Sequence, residues 1–109
     1  MKILIKENRI QSLINKLLDE EFGELYEYKN YTTDSSGEWM TIHYSKDGRV
    51  VMIYRDDIDF LYVGEDNLSS LNVFDLDYTA KLVVVSKWFE SRYELPVEDA
   101  RIVNSKLLN

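Results

Sequence analysis

The sequence predicts an α+β fold in which two amphipathic helices pack on an antiparallel meander of about four strands. A helical repeat of apolar residues occurs near each end of the chain, and a two-residue alternation runs through its centre. Gly and Asp residues separate the central segments at hairpin spacing. Two helices on one sheet face would bury both apolar stripes, so we expect a two-layer arrangement. A length of 109 residues fits one domain over 1–109.

The first clear element is an amphipathic helix from Asn8 to Phe22. Its apolar residues recur at helical spacing, and they are Ile10, Leu13, Ile14, Leu17, Leu18 and Phe22. Asn8 is placed to cap the first turn, with Gln11 three residues later as in a capping box. Gly23 follows where a left-handed residue commonly ends a helix. The preceding segment, Lys2–Lys6, is predicted as a short strand.

The centre of the chain reads as a meander. The alternation predicts strands over residues 25–31, 38–44, 49–55 and 60–63. Asp47 and Gly48 supply the positive φ angles that a tight hairpin turn requires. The third strand is apolar on both faces, which is typical of a strand inside a sheet.

The second long helix is predicted over Tyr78–Tyr93, with Asp77 as its N-cap. One or two helical turns around Leu68 to Phe74 are expected before it. Pro96 ends the helix, and Ala100–Val103 is expected to add an edge strand before a frayed tail.

Acidic charge is concentrated in the central segment. The net charge is −7, and residues 23–78 alone hold four basic and twelve acidic side chains, a charge of −8. Such a field repels nucleic acid and anionic membranes, and it attracts a basic protein partner or simply favours solubility. The densest acids give a candidate acidic binding surface of Asp56, Asp57, Asp59, Glu65 and Asp66. Tyr26, Tyr28 and Trp39 give a candidate aromatic surface.

The residue types needed for several chemistries are missing or scarce. The chain has no cysteine and one histidine, so we expect no transition-metal site, and we expect no cofactor because no glycine-rich phosphate loop is present. His43 lies on the strand face opposite Ile42 and Tyr44, and we interpret it as packed on the sheet or facing solvent. Asp56, Asp57 and Asp59 lack the spacing of a calcium loop, and we interpret them as a solvated turn. No catalytic residues are predicted, and the chain is expected not to be an enzyme.

The ends of the chain contain no targeting signal of recognised length. The apolar run at Ile3–Ile5 is far shorter than a signal-peptide core, and no segment has the length of a membrane span. Together with the absence of cysteine, this predicts a cytoplasmic protein without membrane association.

Two end segments carry a family resemblance. The opening Met1–Glu7, followed at once by an amphipathic helix, and the closing Lys87–Val97 resemble small uncharacterised proteins of large tailed bacteriophages. The resemblance implies a phage origin and expression in the cytoplasm of a bacterial host. It also raises the expectation of a role in host interaction or in antagonising host defence, and it assigns no site residues.

Three functions remain as alternatives. The first is a non-enzymatic module that binds a protein partner, or a second copy of itself, through aromatic and acidic surface on the sheet. The second is a nucleic-acid mimic that inhibits a host nuclease or defence protein, which requires acids aligned on one exposed face. The third is a small-ligand-binding protein or enzyme using His43 in a pocket between sheet and helices. A virion component is not separable from the first by sequence.

Overall fold

A computed structural model describes residues 7–35 and 37–109 of the chain. The α-helices are α1 (Glu7–Phe22) and α2 (Tyr78–Tyr93). The strands are β1 (Tyr26–Asp34), β2 (Gly37–Lys46), β3 (Arg49–Arg55), β4 (Phe60–Gly64) and β5 (Asp99–Val103). A first 3₁₀ helix covers Glu65–Val73 and a second covers Ser105–Leu108. The short strand predicted at Lys2–Lys6 lies outside the described residues.

The strands form one sheet in the order β1-β2-β3-β4-β5. The first four are antiparallel neighbours, whereas β5 pairs with β4 in parallel. The α+β class is therefore confirmed, and β5 contains the edge strand expected at Ala100–Val103, but it joins the predicted meander of about four strands in parallel. The physical reason is the connection, because the segment containing α2 carries the chain back along the sheet and lets β5 run in the direction of β4.

The core lies between one face of the sheet and the two helices. It is built from Ile14, Leu18 and Phe22 of α1, Val85, Trp88 and Phe89 of α2, and Ile42, Tyr44, Met52, Tyr54, Leu61 and Val63 of the sheet. The Phe22 and Trp88 rings stack with centroids 4.7 Å apart, which joins α1 to α2. The Phe89 ring contacts Tyr44 and Tyr54 on the sheet. Both helices thus cover the same face, as predicted.

Helix ends follow the predictions in part. Asp77 caps α2, because its carboxylate accepts a hydrogen bond from the Ala80 N–H at 2.7 Å. Gly23 is left-handed, with φ 61°, after α1. The capping box is wrong, because α1 begins at Glu7 and Asn8 lies inside the helix. The Gln11 side chain instead donates to the Val84 carbonyl of α2 at 3.1 Å.

The C-terminal residues are attached to the sheet, so the prediction of a frayed tail is wrong. The Asn109 side chain accepts from the Val50 N–H at 2.9 Å and donates to the Val50 carbonyl at 3.0 Å. The buried Ser105 hydroxyl accepts from the Asp66 N–H at 3.3 Å. These bonds hold the C-terminal segment against β3 and the first 3₁₀ helix.

Candidate functional site

Alternate residues of the sheet point away from α1 and α2, and we call this surface the outer face. Its members follow from the strand register: Ile42 and Tyr44 face the core, so Trp39, Thr41 and His43 lie on the opposite side. The outer face includes Tyr26, Tyr28, Asn30, Thr32, Trp39, Thr41, His43, Ile53, Arg55, Phe60, Tyr62, Asp99 and Arg101. In the described part of the chain, no α-helix covers it.

At the β3–β4 turn end of the outer face, the Arg55 side chain is fixed between a ring and a carboxylate. The Arg55 guanidinium carbon lies 5.2 Å from the centroid of the Trp39 ring, within the range of a cation–π contact. Its Nε and Nη2 donate to the two carboxylate oxygens of Asp57 at 3.1 and 2.7 Å. This bidentate geometry holds the guanidinium plane in place and neutralises its charge.

Both members of this pair titrate away from their ordinary values. The hydrogen bond from Arg55 lowers the pKa of the Asp57 carboxyl, and the same bond raises the pKa of Arg55. Because Asp57 has a lowered pKa in the folded protein, the pair stabilises the fold above the unfolded-state pKa. That contribution disappears as the pH falls through the lowered value.

We expect carbon-detected NMR of the Asp57 carboxyl to show a titration midpoint below that of an ordinary aspartate. In Arg55→Gln the midpoint should rise towards the ordinary value, because the donor that stabilises the carboxylate is gone. Arg101→Gln, on the same face, should leave it unchanged. An Asp57 midpoint that does not respond to Arg55→Gln would contradict the pairing.

The remaining aromatic residues extend the outer face on both sides of Arg55. The Tyr28 and His43 rings meet edge to face with centroids 6.2 Å apart. The Phe60 and Tyr62 rings lie 4.6 Å apart. The outer face therefore presents aromatic groups from β1 across to β4.

His43 is placed on the outer face, as the strand pattern predicted. Its Nε2 lies 3.4 Å from the Thr41 hydroxyl, and its ring contacts Tyr28. Neither neighbour is a carboxylate able to orient the imidazole. A cavity of about 320 Å³ beside Trp39 and one of about 470 Å³ beside α2 are not lined by His43. This placement gives no support to chemistry in a pocket between sheet and helices.

The acids of the β3–β4 turn serve the local fold. The Asp56 carboxylate accepts from the Met40 N–H at 2.7 Å, and Asp59 accepts from the Tyr54 hydroxyl at 3.0 Å. Asp57 binds Arg55. Among residues 7–35 and 37–109, no group of three His, Asp or Glu side chains is arranged to hold a metal ion.

The five candidate acidic residues do not form one surface. Asp56, Asp57 and Asp59 precede β4, whereas Glu65 and Asp66 follow it. A strand of five residues separates the two groups by roughly 15 Å. These candidate acids consequently lie at opposite ends of β4.

The candidate aromatic residues share one face of the sheet, along which Tyr26 and Trp39 lie six register positions apart, roughly 20 Å. Tyr26, Tyr28 and Trp39 all lie on the outer face. Sequence reasoning missed Arg55, Phe60 and Tyr62 as members of the same surface. Their two-residue alternation was visible in the sequence, but only the pairing of β2, β3 and β4 shows that they lie on the same face as Trp39.

The comparisons with known proteins add no relative. No family model, no curated protein and no solved structure matches this chain. Within the described ranges, none of the helices has the length and apolar character needed to cross a bilayer.

Proposed function

We propose that this chain is a non-enzymatic protein-binding module whose contact surface is the outer face of the sheet. The observation that carries the proposal is the composition of that face. It combines Tyr, Trp, Phe and Arg side chains with few acids, and these residue types dominate the energetic centres of protein interfaces. The described residues leave this surface without a covering helix.

The ordering of Arg55 supports the same proposal. A flexible arginine loses side-chain entropy when a partner immobilises it, and this loss weakens binding. Asp57 and the Trp39 ring already hold Arg55 in one position in the free chain. A partner would therefore meet an Arg55 side chain that is already largely pre-organised.

A sheet with outward aromatic rings also suits the stacking of nucleic-acid bases, but the charge favours a protein. Single-stranded nucleic acid requires a positively charged groove along its backbone. Here Arg55 is neutralised by Asp57, and the chain as a whole carries −7. The acids at both ends of the sheet instead fit a partner with basic residues flanking an apolar patch.

The proposal is tested by affinity capture from bacterial lysate, the source that the phage resemblance of the end segments indicates. Wild type is compared with the double variant Trp39→Ala/Tyr62→Ala and with Val73→Ala. Val73 is 77% exposed on the first 3₁₀ helix, so its variant is a matched control away from the outer face.

We expect wild type and Val73→Ala to retain the same basic protein and the double variant to lose it. With that partner purified, the double variant should weaken binding by at least about tenfold, since hot-spot aromatics each contribute about 2 kcal/mol or more. Equal retention of the partner by all three folded proteins would refute the outer face as the contact surface.

A further inference from the structure

Among residues 7–35 and 37–109, strand β1 forms an edge of the sheet, and it is unusually exposed. Eight of its nine residues are exposed and the ninth is half-buried. Its pairing with β2 continues without a bulge over all nine residues. The strand also contains no proline. Proteins commonly protect long edge strands with such devices, so an edge without them is suited to pairing with another strand.

The hydrogen bonds show which backbone groups of β1 face outward. The Met40 carbonyl accepts from the Asp56 N–H at 3.1 Å, so the even residues of β2 direct their backbone groups towards β3. The odd residues Thr41 and His43 therefore face β1, where their partners are Asn30 and Tyr28. It follows that the odd residues of β1 direct N–H and C=O groups to the outer edge, and these residues are Glu27, Lys29, Tyr31 and Thr33.

We propose that β1 pairs antiparallel with β1 of a second copy of this chain about a two-fold axis at Tyr28, with Glu27 of each copy opposite Lys29 of the other. In this register the odd residues meet odd residues, as their outward backbone groups require. Glu27 of each copy exchanges backbone hydrogen bonds with Lys29 of the other copy, so this pair occurs twice, once on each side of the axis. The two five-stranded sheets then become one continuous sheet.

Charge selects this register from the others that the backbone permits. A two-fold axis at Lys29 places two lysines directly opposite each other, which destabilises a strand pair. An axis at Asn30 places Lys29 against Tyr31 and forms no ion pair. Only the axis at Tyr28 gives two oppositely charged cross-strand pairs, both on the helix side of the sheet, and places the two Tyr28 rings together on the outer face.

Sedimentation and light scattering of the full chain provide the first test. Wild type should reach a mass twice the 12.9 kDa of one chain as its concentration rises. Glu27→Lys alone sets lysines against lysines, and Lys29→Glu alone sets glutamates against glutamates. Each should raise the dissociation constant by about tenfold or more. Both side chains are exposed on the edge strand, so folding should be retained, which circular dichroism checks.

The charge swap offers a rescue that only this register predicts. The double variant E27K/K29E should dimerise like wild type, because the opposite charges again face each other. An equimolar mixture of the two single variants should form a heterodimer. Wild type that stays monomeric at every concentration, or single variants that dimerise like wild type, would overturn the proposal.

A cross-link locates the axis directly. The chain has no cysteine, so Tyr28→Cys introduces a unique thiol. At the axis the two thiols lie opposite each other in a pair with closely spaced Cα atoms, and mild oxidation should join the chains. Tyr26→Cys is the matched control, because its residue faces Asn30 of the second copy and should not cross-link. Cross-linking through Tyr26→Cys but not Tyr28→Cys would refute this register.

The mass measurements and the charge-swap variants are independent of the proposed function, whereas Tyr26→Cys and Tyr28→Cys alter the outer face. Glu27 and Lys29 lie on the helix side of the sheet, so their variants leave the outer face unaltered. A monomeric wild type that still captures its partner through Trp39 would overturn the pairing of β1 alone.

Discussion

Replacing Phe89 with alanine is expected to lower the free energy of unfolding by about 3–5 kcal/mol, the usual cost of removing a buried phenylalanine. The Phe89 side chain is fully buried, and its ring centroid lies 5.6, 5.4 and 4.9 Å from those of Tyr44, Tyr54 and Tyr93. It is thus the contact between α2 and the middle strands of the sheet. Since small domains are stable by only about 5–15 kcal/mol, this substitution should remove a large fraction of the free energy of unfolding and lower the melting temperature.

Urea denaturation followed by circular dichroism measures this effect. Val83→Ala is the matched control, because Val83 lies on the same helix and is 46% exposed. Its unfolding midpoint should remain within the small range of surface substitutions, about 0.5 kcal/mol. A Phe89→Ala variant as stable as Val83→Ala would show that α2 does not pack on the sheet as described.

Removing the hydroxyl of Tyr54 is expected to cost about 1–3 kcal/mol, because a buried hydrogen-bond network loses its donor. The single proton of the Tyr54 hydroxyl is shared between the Pro96 carbonyl at 2.7 Å and the Asp59 carboxylate at 3.0 Å. It therefore joins β3 to the β3–β4 turn and to the segment before β5. Burial, reinforced by the bond to Asp59, raises the pKa of Tyr54 well above its usual range, so the hydroxyl stays protonated in alkaline solution.

Tyr93→Phe is not expected to lower the free energy of unfolding as Tyr54→Phe does. The Tyr93 hydroxyl oxygen is buried and has no hydrogen-bond partner among the described residues. Removing an unsatisfied buried hydroxyl should leave the stability unchanged or raise it by up to about 1 kcal/mol. Paired urea titrations of Tyr54→Phe and Tyr93→Phe measure both effects. Equal destabilisation by the two substitutions would contradict the different environments of these hydroxyls.

The elements that depend on local periodicity could be predicted from the sequence. Helix α2 has the predicted bounds, Tyr78–Tyr93, because its apolar spacing and its cap at Asp77 are both local signals. The strand β3 also has its predicted bounds, Arg49–Arg55. The parallel pairing of β5 was not predicted. The direction of a strand depends on the path of the connection before it, and the residue spacing within the five residues of β5 does not encode that path.

The candidate site was predicted only in part, for a similar reason. The alternation placed Tyr26 and Tyr28 on one face of a strand, but it could not show that this face also holds Arg55. Charge density along the chain suggested one acidic surface from Asp56 to Asp66. Strand β4 separates these acids into two groups at its opposite ends, whereas the register of β1 and β2 places the candidate aromatic residues on one face.

The two tryptophans of the chain lie in two different environments. Trp88 is fully enclosed by the core, with its indole N–H bonded to Asp19, whereas Trp39 is partly open to water beside Arg55. The fluorescence of Trp88 and that of Trp39 should therefore differ in emission wavelength and in quenching by a solute such as iodide. The protein contains one intrinsic probe of unfolding and another of events at the outer face, so each can be followed without a dye.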